Sequence, residues 1–219
     1  MSSTYSTTMQ TVSVCGTDYR IQCLKDLNQF SDPEQLAEKH GISSAMWPVF
    51  GVIWPAGLIL ADMMDSYAVT GMRILELGCG LGIASLVAQA RGADITASDQ
   101  HPLARQFLSI NAALNNLVSP HFECCDWADK SPSLGTFDLI IGSDLLYERN
   151  HPQLLSEFID LHTNQPVVVI IIDPGRHQQG KFIQRMKDLG FHSDSASASA
   201  KQQLLRIFKD PGPEGQDLG

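Results

Sequence analysis

The chain has 219 residues, a length typical of one α/β domain. Hydrophobic residues make up 43% of it and charged residues 18%, which excludes a chain that is disordered throughout. Asp and Glu outnumber Lys and Arg by 24 to 15, and this net charge of −9 argues against a dedicated nucleic-acid-binding protein, which usually presents a basic surface.

Residues 1–46 predict a small β/α extension at the amino terminus. Residues 1–10 are rich in Ser and Thr and are expected to be loose. Short β-type runs on either side of the C-G-T-D sequence at residues 15–18 predict a hairpin. Helices are predicted over residues 32–40, ending at a glycine, and over residues 54–69.

From residue 73 onward, apolar runs of strand length alternate with helical segments, as in βαβ units with a parallel sheet. Strands are predicted at residues 73–77, 94–98, 121–125, 137–143, 166–172, 191–196 and 204–209. Helices are predicted at about residues 82–91, 102–115, 152–163 and 179–189. We therefore expect one Rossmann-like, doubly wound α/β domain over residues 47–210. The S-A-S-A-S-A run at residues 195–200 predicts a hairpin loop near the sheet edge, and residues 211–219 predict a disordered tail.

The first of these predicted strands runs into a glycine-rich turn. Glu76 precedes the sequence G-C-G-L-G, which places glycines at positions 78, 80 and 82 before a helix. Such a turn lets a ligand approach the backbone closely, and the helix that follows offers free N–H groups. The dinucleotide fingerprint requires glycine at position 83, where this chain has Ile83, so a dehydrogenase is not indicated. The turn instead resembles motif I of the seven-stranded S-adenosylmethionine (SAM) methyltransferases, with a ligand-free tight turn as the alternative.

Acidic residues follow the next two predicted strands. Asp99 lies 19 residues after Gly80, where an acidic side chain in such a fold binds ribose hydroxyls. An N-cap before Pro102 is the alternative interpretation of Asp99. Asp126 and Trp127 follow the third strand. Asp126 resembles the acidic residue that binds the adenine amino group in methyltransferases, and an aromatic residue such as Trp127 can cover the base. Trp127 is equally consistent with a capping aromatic residue at the surface.

The fourth predicted strand ends in the sequence S-D-L-L-Y, from Ser143 to Tyr147. Because ligands bind at the carboxyl ends of strands in open α/β sheets, Asp144 and Tyr147 are expected beside the transferred methyl group. Methyltransferases that act on planar amide or base nitrogens often carry an Asn/Asp-Pro-Pro-Tyr/Phe turn at this position. The turn in this chain has no proline, which argues against methylation of DNA adenine or of glutamine.

The S-D-x-x-Y turn, together with the G-V-I-W-P-A-G run at residues 51–57, resembles methyltransferase family 16, seven-stranded SAM enzymes of which many methylate protein lysines. The resemblance extends over residues 47–176. It implies that Asp144 and Tyr147 form the D-x-x-Y pair at the methyl acceptor. The cofactor contacts that it implies are Trp54, Glu76, Gly78, Cys79, Gly80, Gly82, Asp99, Asp126, Trp127 and Ser143. A bulky residue at Gly80 is therefore expected to abolish SAM binding through steric conflict with the ligand itself.

The D-P-G-R sequence at residues 173–176 resembles the branch of this family that contains the lysine methyltransferases of the electron transfer flavoprotein β subunit and their bacterial relatives. Asp-Pro-Gly is also good turn chemistry, so a plain turn is the alternative. By the resemblance, the last strand of the sheet is antiparallel and inserted beside the fifth. Residues before about Asp32 are expected to pack outside that sheet.

The resemblance implies a protein-lysine N-methyltransferase that uses SAM and releases S-adenosylhomocysteine. Its substrate would be a protein with a lysine in a basic or exposed loop, such as the electron transfer flavoprotein β subunit. The acidic neighbours Asp126, Glu148 and Asp173 are expected to give the mouth of the site a negative field that favours such a loop. A small-molecule N- or O-methyltransferase and a non-catalytic SAM-binding protein are the alternatives. His101, His121, His151 and His177 are expected at surface or turn positions without a role.

The sequence also predicts the compartment and the absence of several partners. The longest apolar stretch, residues 49–61, is shorter than the roughly 20 residues that span a bilayer, and the first ten residues do not resemble a signal peptide. The 5 cysteines contain no C-x-x-C pair, which argues against zinc and against a disulfide framework. We expect a cytoplasmic monomer with reduced cysteines, no metal, and no nucleic-acid or membrane partner.

Overall fold

The computed structural model describes residues 5–129, 134–199 and 202–210. Two strands, β1 (Thr7–Val14) and β2 (Thr17–Leu24), form an antiparallel hairpin of their own. The hairpin is confirmed, and its two-residue turn is Cys15-Gly16, both with positive φ (46° and 88°). The prediction of a loose amino terminus is wrong from Thr7 onward, because residues 7–10 pair with residues 21–24 of β2.

Three helical segments connect the hairpin to the central sheet. Helix α1 (Leu36–Lys39) is shorter than predicted, because Asp32 lies in a turn where its Oδ2 accepts the backbone N–H of Glu38 at 2.9 Å. A 3₁₀ helix over Trp47–Gly51 has no counterpart in the sequence prediction. Helix α2 (Pro55–Ser66) begins at a proline, which suits a first helical position because its missing N–H would have had no helical partner.

The central sheet contains seven strands among the described residues, in the order β5-β4-β3-β6-β7-β9-β8. The strands are β3 (Arg73–Leu77), β4 (Asp94–Asp99), β5 (His121–Cys124), β6 (Phe137–Ser143), β7 (Thr163–Asp173), β8 (His192–Ser199) and β9 (Gln202–Lys209). The helices between them are α3 (Ile83–Ala90), α4 (Ala104–Leu114), α5 (His151–Leu161) and α6 (Gln179–Asp188). β9 is antiparallel to both of its neighbours and lies beside β7, the fifth strand of this sheet, as predicted.

Apolar side chains cover both faces of the central sheet. Alternate residues of β3 belong to different cores: Ile74 packs with residues of α2, α3 and α4, and Leu75 packs with residues of α5 and α6. Residues 169–172 of β7 are completely buried, as expected of a parallel strand between two helical layers. This arrangement leaves the carboxyl ends of β3, β4 and β6 together at one edge.

The hairpin is held outside the central sheet by Asn111 of α4 and by Asn115, the residue that follows this helix. The backbone N–H of Gln22 donates to Oδ1 of Asn111, and the N–H of Arg20 donates to Oδ1 of Asn115, both at 2.8 Å. Asn111 is fully buried, and its amide also donates to the carbonyl of Leu81 in the glycine turn at 3.3 Å. The extension is therefore connected directly to the turn that follows β3.

We expect Asn111→Ala to lower the free energy of unfolding by about 1–3 kcal/mol, because it leaves buried backbone groups of Gln22 and Leu81 without a partner. Asn115→Ala removes the equivalent bonds to Arg20 at a more exposed place and should have a smaller effect. Urea unfolding of both variants measures the difference. Equal losses at the two sites would contradict the role assigned to burial.

Residues 195–199, predicted as a loop, belong to strand β8, and Ser195 is in register with Leu205 of β9. Ser and Ala have weak strand preferences, and the backbone pairing with β9 overrides them. Residues 200–201 and the predicted tail at residues 211–219 lie outside the described residues. The division of the chain at residue 46 stays a prediction. Within the part of the chain that the structure describes, no helix has the length and hydrophobicity needed to cross a membrane.

Candidate active site

A cavity of about 790 Å³ opens at the carboxyl ends of β3, β4 and β6. Among the residues that line it are the predicted Trp54, Glu76, Gly78, Cys79, Gly80, Asp99, Asp126, Trp127, Ser143, Asp144 and Tyr147. Gly82, the N-cap residue of α3, is not among the lining residues, although its neighbours Leu81 and Ile83 are. The strand ends therefore bring together residues that are far apart in the sequence.

The glycine turn has a left-handed backbone at Gly80 (φ 53°) and Gly82 (φ 73°), a conformation that favours glycine. A Cβ at Gly80 would lie 2.7 Å from the carbonyl oxygen of Phe50, and one at Gly82 would collide with Leu108. The expectation that a bulky residue at Gly80 first meets the ligand is wrong, because it meets the 3₁₀ helix first. If a bulky residue at Gly80 abolished SAM binding, the cause would be displacement of the glycine turn by Phe50 rather than contact with the ligand.

Asp99 ends β4 and binds the glycine turn. Its Oδ2 accepts the N–H of Gly80 at 2.8 Å, and its Oδ1 accepts the N–H of His101 at 2.7 Å. Burial raises the pKa of this carboxyl, and the two backbone donors oppose that rise. Each oxygen keeps a second lone pair, which suits the two hydroxyls of a ribose. The alternative N-cap role is not observed: α4 begins at Ala104 after Leu103, and within the described residues no side chain caps it.

Glu76 is buried beneath the cavity and ties β3 to α3. Its Oε2 accepts the backbone N–H of Ser85 at 2.9 Å and also the Ser85 hydroxyl. Burial raises the pKa of Glu76 from 4.5 to about 7 in spite of these donors. Oε2 of Glu76 therefore binds α3, and the Glu76 carboxyl gains or loses its proton near pH 7.

We expect the stability of Glu76→Gln relative to the natural protein to increase as the pH rises. A carboxyl with a folded pKa of about 7 and an unfolded pKa of 4.5 binds its proton more tightly when folded. Its contribution to stability is complete below pH 4.5 and is lost as the pH rises through about 7. Glutamine keeps the acceptor for Ser85 without this loss, which amounts to about 3 kcal/mol. Denaturant unfolding across this range tests it, and a difference independent of pH would contradict it.

Asp144 and Arg176, which both line the cavity, form an ion pair. Nη2 of Arg176 lies 2.5 Å from Oδ1 of Asp144, whose side chain is only 14% exposed. Asp144 has a positive φ of 59°, and its N–H donates to the carbonyl of Ile172 at 2.8 Å. Burial raises the pKa of Asp144, Arg176 lowers it and Asp173 raises it further. Asp144 lines the cavity at the end of β6, and its pairing with Arg176 is visible only in the fold.

The D-P-G-R sequence forms the turn that positions Arg176. Oδ1 of Asp173 accepts the N–H groups of Gly175 and Arg176, both at 2.8 Å, and Gly175 has a φ of 81°. Asp173 is completely buried, so it adds no exposed carboxylate at the cavity mouth, although its charge still acts on Asp144. Asp126 and Glu148 are exposed.

Three rings line the cavity near Asp144. The His151 ring lies 5.1 Å from the Trp127 ring and 4.5 Å from the Tyr147 ring, with both pairs nearly perpendicular. Nδ1 of His151 lies 2.6 Å from the carbonyl oxygen of Leu145, which fixes the proton on Nδ1 because a carbonyl can only accept. Nε2 lies 3.7 Å from a carboxylate oxygen of Glu148. Tyr147 is 44% exposed, so this end of the cavity reaches solvent.

Two of the four histidines are not where the sequence predicts them. His151 and His101 are buried and line the cavity, whereas His121 and His177 are exposed. His101 stacks on Phe50 with ring centroids 3.8 Å apart, and burial lowers its pKa to about 3, so it is neutral. No periodicity in the sequence distinguishes a histidine in a cavity from one in a surface turn.

Cys79 and residues 40–42 complete the cofactor end of the cavity. Burial raises the pKa of Cys79 well above its ordinary value, so the thiol stays protonated and is not a nucleophile. His40, Gly41 and Ile42 line the cavity although the sequence assigns them to the extension. The extension therefore contributes to the cavity wall.

The residues present fit SAM. Gly78, Cys79 and Gly80 of the glycine turn line the cavity, Asp99 offers two acceptors for ribose hydroxyls, and Trp127 offers an aromatic face. A sheet in this strand order with its reversed β9 and this cavity defines the class of SAM-dependent methyltransferases. Residues 37–189 match the protein family described as "Lysine methyltransferase", and the chain belongs to that family.

Two curated relatives illustrate the similarity. The chain is 28% identical over 181 residues to protein N-lysine methyltransferase METTL21A of Xenopus tropicalis, which covers 78% of this chain and 84% of the relative. It is 30% identical over 135 residues to the electron transfer flavoprotein beta subunit lysine methyltransferase of Xenopus laevis, 60% of this chain and 54% of the relative. The second match thus spans about half of that relative's length.

Solved structures share the fold. The ribosomal protein L11 methylase of Lactobacillus delbrueckii subsp. bulgaricus superimposes with a TM-score of 0.58 at 22% identity, over 71% of this chain and 79% of that one. The 16S rRNA N2 G1207 methyltransferase of T. thermophilus, solved with AdoMet and guanosine, superimposes with a TM-score of 0.63 at 16% identity, over 93% of this chain and 50% of that one.

Together, the family match, the relatives and the solved structures confirm the predicted fold, family, cofactor and enzyme class.

Proposed function

We propose that this enzyme methylates a lysine amine presented by an exposed loop of a protein substrate, with Asp144 and Tyr147 at the acceptor. The observation that carries the proposal is the acceptor end of the cavity, where a carboxylate lies among aromatic rings and the opening reaches solvent. Carboxylates and aromatic faces both attract an ammonium group. The names of the relatives, which are protein-lysine methyltransferases, support the same acceptor.

The cofactor end of the cavity would bind SAM through the predicted residues. Asp99 would accept hydrogen bonds from the ribose, Trp127 and Asp126 would contact the adenine, and the backbone at residues 78–80 would face the methionine part. Trp54, Ser143, Glu76 and Gly82 are proposed to support these contacts. When bound, SAM supplies a methyl group on a positively charged sulfur.

The acceptor residues would prepare the amine for attack. A lysine amine has a pKa of about 10.4 in water, so it arrives as an ammonium and must give one proton to solvent water to free its lone pair. Asp144 would hold the nitrogen in line with the methyl group, which lowers the entropic part of the barrier. Burial, with Asp99 and Glu148 adding to it, raises the pKa of Tyr147 to about 12. The Tyr147 hydroxyl therefore stays protonated and orients the amine without acting as a base.

The exposed carboxylates at the opening support a protein substrate. Asp126 and Glu148 are exposed beside the cavity, and they would attract a basic loop with a strength that falls as salt is added. A closed apolar pocket would instead favour the small-molecule alternative, and Tyr147 at 44% exposure is unlike such a wall.

The electron transfer flavoprotein β subunit is the proposed substrate to test first, because a relative carries that name. We also propose that the enzyme is a cytoplasmic monomer without nucleic-acid or membrane partners. The free state of all the cysteines supports a reducing compartment. Light scattering of the purified protein measures the oligomeric state.

Incubation of the purified enzyme with methyl-labelled SAM tests the acceptor class. The flavoprotein β subunit and a lysate are offered separately, and proteins and metabolites are then analysed apart. Label on lysine in the protein fraction supports the proposal, and replacing the labelled lysine by arginine should remove it. Label confined to metabolites would establish the small-molecule alternative instead.

A further inference from the structure

Arg176 occupies a position that the D-x-x-Y pair alone does not explain. Its guanidinium reaches Oδ1 of Asp144 at 2.5 Å and also lies 5.9 Å from the centre of the Tyr147 ring. It thus contacts both residues proposed at the acceptor. Its own backbone N–H is fixed by the buried carboxylate of Asp173, so the turn that carries it is held in place.

The pairing leaves the two oxygens of Asp144 in different surroundings. Oδ1 is buried and faces Arg176, which leaves Oδ2 as the other acceptor of a side chain that lines the cavity. The left-handed backbone at Asp144 and its N–H bond to Ile172 fix the base of the side chain. A carboxylate held at both ends presents its second oxygen in one direction.

The net charge of the cluster formed by Asp144, Asp173 and Arg176 also favours a cationic acceptor. Asp144 and Asp173 contribute two negative charges and Arg176 one positive charge, so the cluster retains one uncompensated negative charge. Without Arg176, two carboxylates would lie near each other with little solvent, and one would tend to take up a proton. Tyr147 stays neutral at physiological pH and does not change this balance.

We propose that Arg176 is a positioning residue for the acceptor carboxylate: it binds Oδ1 of Asp144, keeps the group ionised and leaves Oδ2 to receive the substrate amine. This inference rests on the proposed function, in which Asp144 holds the lysine. Arg176 itself does not contact the reacting atoms. In the alternative arrangement, Arg176 itself would occupy the position of the substrate amine, and the substrate would have to displace it.

The first test measures the pKa of the Asp144 carboxyl in the absence of substrate. Carbon-13 NMR titration of the Asp144 carboxyl, with S-adenosylhomocysteine bound, compares the natural protein with Arg176→Gln and Arg176→Lys. Removal of an adjacent cation should raise the Asp144 pKa by about 1–3 units, and lysine should restore most of the difference. Arg185→Gln, which removes an exposed cation from α6, should leave the titration unchanged. An unchanged Asp144 titration in Arg176→Gln would overturn the proposal.

The second test measures turnover on the lysine substrate against pH. The acidic limb of kcat/KM should move to higher pH by the same amount in Arg176→Gln and return in Arg176→Lys. Binding of S-adenosylhomocysteine checks that each variant is folded. A lower KM for the lysine substrate in Arg176→Gln would mean that Arg176 competes with the substrate, which also overturns the proposal. If the enzyme methylates only small molecules, the proposed function fails, while the NMR titration still decides the role of Arg176.

Discussion

Asp144→Asn is expected to lower turnover on a lysine substrate by about 10²-fold or more, the usual scale for loss of a positioned catalytic group. Asparagine has nearly the same shape and tolerates the left-handed backbone at this position, so the change removes mainly the charge. An amide cannot attract the ammonium as a carboxylate does, and it leaves Arg176 without its ion pair. Single-turnover kinetics with excess SAM measures the effect on the chemical step.

Affinity for S-adenosylhomocysteine should change little in Asp144→Asn, because Asp144 lies at the acceptor end and Asp99 at the cofactor end. Asp94→Asn is the matched control: it removes one exposed carboxylate from the amino end of β4 and should leave both turnover and binding unchanged. Full activity of Asp144→Asn on lysine would refute the proposed chemistry.

Asp99→Asn is expected to weaken binding of S-adenosylhomocysteine by about 10²-fold. The carboxylate accepts backbone N–H groups of Gly80 and His101 on separate oxygens, whereas asparagine has one acceptor oxygen and one amide nitrogen. One backbone donor then faces an N–H₂ group, and the ribose loses a charged acceptor. Hydrogen bonds to charged groups contribute about 1.5–3 kcal/mol each, so this loss corresponds to about two powers of ten in affinity.

Calorimetry with S-adenosylhomocysteine measures this change, and Asp94→Asn again serves as the control on the same strand. Thermal unfolding of the ligand-free variants separates loss of ligand contacts from loss of the turn. Undiminished affinity in Asp99→Asn would show that the ribose is bound elsewhere in the cavity.

The sequence predicts the central strands most accurately. β3 and β6 begin and end at the predicted residues, because short segments of mainly apolar residues indicate buried parallel strands. β8 is predicted only in part: the predicted strand ends at residue 196, whereas β8 continues to Ser199, since its Ser and Ala residues carry little strand signal and its pairing with β9 comes from the tertiary structure. The 3₁₀ helix likewise depends on packing of Phe50 against His101 and Phe107.

Some residues of the candidate site are likewise predictable from the sequence, and others become apparent only from the fold. Glycines and acidic residues at strand ends are recognisable because their spacing follows from the βαβ repeat, and most of them line one cavity. Arg176 and His151 come from loops after different strands, and their meeting with Asp144 and Tyr147 depends on how those loops fold. The burial of Asp173 is equally invisible in the sequence, because an Asp-Pro-Gly turn is usually exposed.

The position of β9 has a consequence for synthesis of the protein on the ribosome. β9 is the last described strand in the chain, yet it lies between β7 and β8 and pairs with both. While the chain is emerging, β7 has a free edge along a completely apolar segment until residues 202–209 are released. Such edges pair readily with other chains, so a chain to which β9 has not yet been added is prone to aggregate through the free edge of β7.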